Sequence, residues 1–405
     1  MATLGIDFGT SNTAAAIIAD GQLRLIELER GQQTIPTAVF LDYAARRTLF
    51  GTEAATAMIE GRDGRFMRAL KSVLGTPLAR EKRQFLNDRL TMIEIIGRFL
   101  SHVKQRAEAQ TGTAITKALS GRPVHFHSFA PDRDAQAEDD LRLAYQYAGF
   151  DHVDFLPEPE AAALAARGEG RGLIVDIGGG TSDFSIFESH GEATNILASH
   201  GVRIGGTDFD KTLSLAHVMP LLGLGQQLKR EFGPGTYPAP TSLYHDLAAW
   251  EKIAFVYEPA LLRDVKRMEK LALDPKRFAR LATVLDMHLG HDVAYAVEAA
   301  KIDANKGKSA KIDLGEVERG LAPSMLPDDL TIGLAAFSHG IGEAAQMTLA
   351  MIQSAPIDRV VYVGGSSLMT TVRDTMTRLL PDARQETSEV FTAVVHGLAL
   401  AAADR

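Results

Sequence analysis

The chain has 405 residues, 45% of them apolar and 23% charged, and its 43 Lys and Arg against 51 Asp and Glu give a formal net charge of −8. This composition excludes a disordered or collagen-like chain and is typical of a globular protein with roughly two to four compact units. The absence of cysteine excludes disulfides, thiolate metal sites and cysteine nucleophiles, and it suits a reducing, cytoplasmic compartment. The acidic balance predicts no nucleic-acid partner.

The elements of the first 150 residues are predicted from apolar runs and their spacing. β-compatible runs separated by turn residues predict a β-meander over 4–28. Apolar residues at helical spacing predict helices within 52–110, and Pro123–Phe129 predicts a strand. Acidic residues at the start and a glycine after the end predict a helix over 132–148.

The later elements are predicted in the same way. Pro159 and the alanines behind it predict a helix with Glu158 at its N-terminus. Residues 212–330 are predicted to be mostly helical, with Gly233–Pro240 as a loop, and a helix is expected over Leu368–Leu380. We expect no signal peptide and no membrane span, because the longest apolar stretches are too short and are interrupted by polar residues.

An internal repeat organises these elements. Leu173–Phe187 repeats the pattern of Leu4–Ile18, in which an apolar strand delivers an aspartate, then glycine and hydroxyl residues, then a second apolar strand. Each copy predicts a strand–turn–strand hairpin, so two related lobes are expected. The boundary falls near Gly168–Gly172.

These lobes define the expected domains. Lobe I covers 1–170 and lobe II covers 171–388, with a mostly helical subdomain at about 212–330 mounted on lobe II. The final helical run, 389–405, is expected to pack back on lobe I.

The two predicted hairpin turns carry the chemistry. Gly-rich turns point successive backbone N–H groups into one concavity, which binds phosphate. Two facing copies suggest a polyphosphate clamp, with Asp7 and Asp176 as partners for a hydrated magnesium ion. The alternative is that each aspartate caps its own turn. Neither a P-loop nor a dinucleotide-binding fingerprint occurs, and the glycines at 205–206 and 364–365 are weak signals taken alone.

Five motifs together resemble the nucleotide-binding domain of the DnaK-type 70-kilodalton heat-shock proteins. They are Gly5–Asn12, Glu158–Ala163, Asp176–Asp183, Gly205–Asp210 and Gly364–Ser366, in the family's order and spacing. The resemblance implies an α/β actin-like ATPase fold, with two lobes built on related mixed β-sheets flanked by helices. It also implies ATP or ADP with Mg²⁺ as ligands.

The resemblance implies roles for individual residues. Those implied in catalysis are Lys71, Glu158, Asp176, Thr181 and Asp7. Asp7 and Asp176 would hold Mg²⁺ through water, with Asp183 and Glu158 in support. The residues implied in nucleotide binding are Gly9, Thr10, Ser11, Asn12, Gly178, Gly179, Gly180, Thr181, Asp183, Gly205, Gly206, Thr207, Asp208, Glu298, Lys301, Ile302, Asn305, Gly364, Gly365, Ser366 and Leu368. Without the resemblance, Lys71 would be interpreted as a solvated surface lysine.

Two departures from the family pattern affect the expected function. Ile302 and Leu368 occupy positions where the family usually has arginines that sandwich adenine, so weaker adenine binding is expected. The chain stops at Arg405, where family members normally continue into a peptide-binding domain. It therefore resembles the short, YegD-like group, and no peptide-binding domain is expected.

Other polar residues carry weaker signals. His125 and His127 are predicted to alternate along a strand, and His288 and His291 to share a helix face, without a third metal ligand. The acidic cluster Glu138–Asp140 is predicted to be a solvated helix face. Trp250 is placed in a predicted helix over 243–257, either in the core or at the subdomain surface.

The leading interpretation is a slow heat-shock-type ATPase and nucleotide-driven clamp, a monomer or weak oligomer with an unidentified protein partner. Two alternatives share the fold: an actin-like filament protein and a small-molecule kinase. A catalytically dead nucleotide sensor is a further alternative.

Overall fold

The computed structural model describes residues 3–19, 21–166, 169–190, 193–353, 355–388 and 392–403. The strands are β1 (Thr3–Phe8), β2 (Asn12–Ala19), β3 (Gln22–Leu25), β4 (Thr34–Pro36), β5 (Ala38–Asp42), β6 (Arg47–Phe50), β7 (Gly64–Arg68), β8 (Arg83–Phe85), β9 (Asp88–Leu90), β10 (Lys117–Arg122), β11 (His152–Pro157), β12 (Gly170–Ile177), β13 (Ser182–His190), β14 (Ala193–Val202), β15 (Gln227–Lys229), β16 (Thr236–Pro238), β17 (Ala310–Lys311), β18 (Ser324–Met325), β19 (Arg359–Val363) and β20 (Arg384–Thr387).

The α-helices are α1 (Gly51–Ile59), α2 (Pro77–Arg80), α3 (Met92–Thr111), α4 (Pro131–Tyr147), α5 (Glu158–Ala165), α6 (Gly206–His217), α7 (Ser242–Leu247), α8 (Pro259–Leu271), α9 (Pro275–Asp286), α10 (Gly290–Ala304), α11 (Pro327–Gly333), α12 (Ala335–Met351), α13 (Thr370–Leu379) and α14 (Ala393–Ala403). Short 3-10 turns lie at Leu70–Val73, Met219–Leu222, Ile253–Phe255 and Gly365–Leu368. No described helix is both long and apolar enough to cross a lipid bilayer.

Two mixed sheets repeat one topology. In the first, the order is β11-β10-β1-β2-β3, with β1 parallel to β10 and antiparallel to β2. In the second, the order is β20-β19-β12-β13-β14, with β12 parallel to β19 and antiparallel to β13. Each sheet thus places the first strand of a hairpin at its centre, beside two parallel strands. This arrangement confirms the predicted hairpins and the mixed-sheet fold class.

The chain divides into two compact units. One contains 1–206 and 338–405, and the other is Thr207–Phe337. The first unit holds both mixed sheets, and α5 and α14 pack together in its core.

Small side chains bring these two helices close together. Ala161, Ala162 and Ala163 of α5 share a buried cluster with Leu398 of α14. Strand β12 is buried along Gly172–Ile177, as expected for a strand covered on both faces. The core therefore fixes the ends of β1 and β12, where Asp7 and Asp176 lie.

The strand predicted at Pro123–Phe129 is wrong, because β10 ends at Arg122 and the next residues form a loop. Proline has no N–H for a sheet ladder. Val124 donates its N–H to the Asp183 carboxylate at 2.7 Å. Phe126 and His127 donate theirs to Asp134. Side chains thus replace the strand partner, and the predicted alternation of His125 and His127 along a strand is also wrong.

The region 52–110 is less helical than predicted. Helices α1 and α3 form there, but β7 joins a sheet with β5 and β6, and β8 pairs with β9. The helix predicted over 132–148 is observed as α4, one residue earlier at each end.

The second unit is mostly helical but contains two small hairpins. Strand β16 lies inside the predicted loop Gly233–Pro240 and pairs with β15, which precedes that loop. The helix predicted over 243–257 is wrong, because α7 ends at Leu247 and a separate 3-10 turn follows at Ile253–Phe255. His288 has a left-handed backbone before α10 begins, so His288 and His291 do not share a helix face.

The C-terminal helix α14 packs on β1, β2, β10 and α5. The ends of the predicted run, Glu389 and Asp404, and the boundary residue Gly168 lie outside the described residues.

Candidate functional site

The two hairpin turns have matching hydrogen bonds. In the first, the N–H of Gly9 donates to the carbonyl of Asn12 at 3.0 Å, and in the second the N–H of Gly178 donates to the carbonyl of Thr181 at 3.1 Å. Each glycine lies two residues after the aspartate, Asp7 or Asp176. The repeat seen in the sequence is therefore also a repeat of turn geometry.

The two turns lie against each other. A Cβ added to Gly179 would lie 2.6 Å from the Ser11 hydroxyl, and one added to Gly180 would lie 3.0 Å from the Thr10 hydroxyl. The glycines pack so closely on the Thr10 and Ser11 side chains that a side chain at 179 or 180 would force neighbouring atoms to move. The structure thus brings the turn at residues 9–12 into contact with the turn at residues 178–181.

Two further glycine motifs pack against these turns. Gly206 donates its N–H to the carbonyl of Gly178 at 3.0 Å, and a Cβ on Gly205 would lie 2.5 Å from the backbone of Gly179. Gly364 has a φ of +77°, and a Cβ there would lie 2.8 Å from the Asp176 carboxylate. Ser366 lies against Gly206.

Acidic side chains surround Lys71 beside the turns. Lys71 forms an ion pair with Glu158, and both side chains are buried. Because Lys71 is only 7% exposed, the interpretation as a solvated surface lysine is wrong. Asp176 and Asp183 are also buried, and Asp183 accepts the N–H of Val124. Four carboxyl groups, those of Asp7, Glu158, Asp176 and Asp183, therefore share a region with one lysine.

This crowding raises the pKa of three carboxyl groups. Burial and then the Glu158 charge raise the pKa of Asp7 to about 7, although Lys71 opposes the shift. The same two causes raise the pKa of Asp183 to about 7. Burial, followed by the charges of Glu158, Asp183 and Asp7, raises the pKa of Asp176 well above its usual value. A cation placed here would lower the cost of these charges.

The donor set fits a hydrated magnesium ion. Carboxylate oxygens are suitable partners for Mg²⁺, which usually keeps several waters and uses few protein ligands. In the described part of the chain, no three acidic or histidine side chains converge closely enough to ligate an ion directly. Water-mediated binding by Asp7 and Asp176, with Asp183 and Glu158 in support, stays a prediction.

A small cavity of about 20 Å³ lies beside Lys71, with room for about one water molecule. Thr10, Gly180 and Thr181 line it, and their predicted contacts with phosphate stay predictions. Arg203 and His127 also line it, and sequence reasoning missed both. The position of Arg203, two residues before Gly205, was the only available signal.

The remaining predicted residues of the first unit are more exposed. Gly365 and Leu368 are exposed on the 3-10 turn after β19. The prediction that Leu368 stands where the family has arginine stays a prediction.

The predicted nucleotide residues of the second unit lie on two helices. Thr207 and Asp208 lie in the first turn of α6, Glu298 and Ile302 lie on α10, and Asn305 caps the C-terminal end of α10. The structure describes these residues within their own unit, and their predicted roles stay predictions.

Lys301 belongs to a buried network in this unit. Its ammonium group lies 2.6 Å from the Asp210 carboxylate, which also accepts the indole N–H of Trp250 at 3.1 Å. Trp250 is buried, so of its two predicted positions the core is the observed one. Sequence reasoning missed Asp210 as the partner of Lys301, although the aspartate ends a motif already recognised.

The duplicated sheets, with paired glycine turns at the ends of their central hairpins, define the actin-like ATPase class. Residues 78–221 match the family model described as Hsp70 protein. Proteins named "Chaperone protein HscA homolog" from Rickettsia africae (strain ESF-5) and Rickettsia conorii (strain ATCC VR-613 / Malish 7) are each 31% identical over 229 residues. The matches span 52% of this chain and 36% of each relative. The homolog from Rickettsia typhi (strain ATCC VR-144 / Wilmington) is 28% identical over 226 residues, which span 52% of this chain and 37% of that relative.

The chain thus spans little more than a third of the length of the curated relatives that it matches. These similarities support an Hsp70-family nucleotide-binding domain in this chain.

Proposed function

We propose that this chain binds Mg-ATP and hydrolyses it slowly, with water as the phosphoryl acceptor. One observation carries the proposal: two glycine turns with equivalent hydrogen bonds lie against each other, beside a buried Lys71–Glu158 pair. Backbone N–H groups in such turns suit phosphate oxygens. Bound Mg²⁺ would supply charge neutralisation for the phosphates.

The residues of the chain then have distinct roles. Lys71 orients the attacking water in the cavity that it lines, and its charge favours the transition state. Glu158 holds the lysine ammonium in place. Thr10 and Thr181, at the rims of the two turns, contact phosphate oxygens. Nucleotide held by both turns closes the clamp, and a chaperone or regulatory partner senses its state.

Phosphate release from Mg-ATP with water as the sole acceptor tests this proposal. We expect slow release by the wild type and a decrease of at least roughly 100-fold for Lys71→Ala and Asp176→Ala. Exposed Lys117 and Asp151 provide matched controls, and Lys117→Ala and Asp151→Ala should keep the wild-type rate. ADP affinity, measured by calorimetry, separates binding from hydrolysis.

Two results would contradict the proposal. One is an absence of calorimetric ATP or ADP binding by the folded wild type. The other is phosphate release that is unchanged when Lys71 is replaced, because the residual activity would then come from a different site.

A further inference from the structure

The segment Ala69–Gly75, here named the Lys71 loop, is held in an unusual conformation. Ala69 has a φ of +57° and Gly75 a φ of +70°, so a left-handed residue stands at each end. A non-glycine residue in this region is strained and needs support from its surroundings. Side chains donate hydrogen bonds to the carbonyl groups of Ser72, Val73, Leu74 and Gly75 in this loop, and those to Ser72 and Leu74 come from two residues that also bond to each other.

Arg203 and His127 supply the donors. Arg203 donates from Nη2 to the carbonyl of Ser72 at 3.0 Å. The Nε2 atom of His127 lies 2.8 Å from the carbonyl of Leu74. These carbonyls lie one and three residues after Lys71, so the two bonds fix the backbone that carries the lysine.

The two side chains also bond to each other. Arg203 Nη1 lies 3.0 Å from Nδ1 of His127. A guanidinium cannot accept a hydrogen bond and a carbonyl cannot donate one. His127 must therefore accept at Nδ1 and carry its proton on Nε2, which is the neutral tautomer. Burial lowers the pKa of this imidazole, and the charge of Arg203 acts in the same direction.

Arg203 is itself anchored next to the phosphate turns. Its backbone N–H donates to the Ser128 hydroxyl at 2.8 Å, and it lies directly after β14 of the second sheet. The Lys71 loop, His127 and Ser128 all belong to the part of the chain that builds the first sheet. The arginine therefore links the loop to the same backbone segment that brings Gly205 and Gly206 to the turns.

We propose that Arg203 and His127 are positioning residues that form a latch, holding the Lys71 loop so that Lys71 faces the phosphate turns. The latch is a property of the fold, and its effect on hydrolysis rests on the proposed function. It acts through Lys71.

The kinetic test compares Arg203→Leu and His127→Leu with wild type. Because misplacement of a catalytic group by about 1 Å costs up to roughly 100-fold in rate, we expect kcat for phosphate release to fall roughly 10- to 100-fold. ADP affinity should change by less than about twofold, since Lys71 acts on the reaction and not on binding. Arg98, a partly exposed arginine paired with Asp88, supplies the control Arg98→Leu, which should leave kcat unchanged.

Two further variants separate positioning from a general effect on folding. Arg203→Lys keeps the charge but has one donor nitrogen in place of the two that Arg203 uses, so its kcat should lie between those of Arg203→Leu and wild type. The double variant Arg203→Leu/His127→Leu should be no slower than the slower single variant, because both residues act on one loop. Independent, multiplying losses, or equal losses of kcat and ADP affinity, would overturn the latch.

A second readout does not depend on ATP hydrolysis. Imidazole ¹⁵N NMR, with His127→Gln for assignment, should show neutral wild-type His127 as the Nε2–H tautomer, with a pKa below the ordinary value of about 6.5. The charged groups facing His127 are Arg203, Arg133 and Asp134. Arg203→Leu should raise its pKa and release Nδ1.

The outcomes distinguish the two proposals. An Nδ1–H tautomer or a charged imidazole in the wild type at about pH 6.5 would overturn the latch, whatever the ATPase result. The stated tautomer in a protein that binds no nucleotide would leave the latch standing and contradict the proposed function.

Discussion

Asp140 shows how strongly the surroundings of one side chain determine its role. Its carboxylate is fully buried and accepts the N–H of Gly75 at 2.9 Å. Arg80 also contacts it, with Nε at 2.8 Å and Nη2 at 2.7 Å. Asp139, the next residue back, is exposed. The prediction of a solvated acidic face is therefore wrong for Asp140, which ties the end of the Lys71 loop to α4.

Replacing Asp140 should destabilise the protein. Asp140→Ala leaves the buried Gly75 N–H without its acceptor, so we expect the free energy of unfolding to fall by about 1–3 kcal/mol. Asp139→Ala, at the neighbouring exposed position, should change it by less than about 0.5 kcal/mol. Urea unfolding of both variants measures the difference. Equal effects would show that the Asp140 hydrogen bonds do not stabilise the fold.

Ile302 permits a test of the predicted adenine contact. Its side chain is 50% exposed on α10, so an arginine can replace it without disturbing the core. If adenine binds at this position, Ile302→Arg adds a stacking and cation–π contribution, and ADP affinity should rise by about 2- to 30-fold. Ile332→Arg, at an isoleucine of the same unit that is 77% exposed, is the control. Calorimetry that finds the same ADP affinity for both variants would contradict the adenine prediction.

At the scale of elements, close helix packing positions the site. Helix α5 begins at Glu158, and α14 crosses it where Gly397 lies against the backbone of Ala161. A Cβ at Gly397 would overlap the Ala161 carbonyl. Gly5 of β1 likewise lies close to the backbone of Ala399. Glycine at 5 and 397 thus lets α14 hold the elements that carry Asp7 and Glu158.

The usual effect of Gly→Ala in a helix should reverse at this crossing. Alanine normally stabilises a helix interior by about 0.5–1 kcal/mol, but Gly397→Ala forces backbone atoms apart, and we expect a loss of about 1–3 kcal/mol or more. At Gly340 of α12 a Cβ meets only the end of the Ile204 side chain at 3.0 Å, so Gly340→Ala should be nearly neutral. Thermal unfolding compares the two, and a stabilising Gly397→Ala would disprove the close crossing.

The elements also show what sequence patterns can and cannot predict. Both hairpins followed from alternating apolar runs around glycine, because strand and turn preferences act locally. The strand predicted at 123–129 is wrong because N–H groups of this segment bond to side chains. Val124 bonds to Asp183, which is distant in sequence, and Phe126 bonds to Asp134, which the apolar pattern does not reveal as a partner. In the same way, the ion pair between Lys71 and Glu158 joins residues 87 apart. Only the resemblance pointed to Lys71, since burial by distant elements leaves no local signal.

At the scale of the whole molecule, the buried carboxyl groups of the site lower the stability of the fold. Duplication of the hairpin brings Asp7 and Asp176 together with Asp183 and Glu158, and Lys71 is the basic group that lowers the pKa of the three aspartates. Like charges in a buried region raise the free energy of the folded chain. Binding of a cation or of Mg-nucleotide would therefore stabilise the protein, in proportion to the ligand's preference for the folded state.

The pH dependence of stability in EDTA tests this opposition. Asp183 has a pKa of about 7 in the folded chain, against an ordinary value of 3.8. Between these values the folded state binds more protons than the unfolded state, so stability falls as pH rises through this window. Asp183→Asn keeps an oxygen for the Val124 N–H and removes the titration. Its stability should fall less than that of wild type between about pH 4 and pH 8, by at least about 1 kcal/mol, the value of one pKa unit.

The slope of stability against pH is the decisive quantity, because it is independent of any fixed cost of burying an amide. Asp139→Asn, at an exposed position, should follow the wild-type slope. Addition of Mg-ADP should stabilise wild type more than Asp183→Asn, since the charged carboxylate then has a cation to face. Parallel wild-type and Asp183→Asn profiles in EDTA would mean that Asp183 is already ionised in the folded chain. The carboxyl groups of Asp7, Glu158, Asp176 and Asp183 would then cost the fold little, and magnesium would have little charge repulsion to relieve.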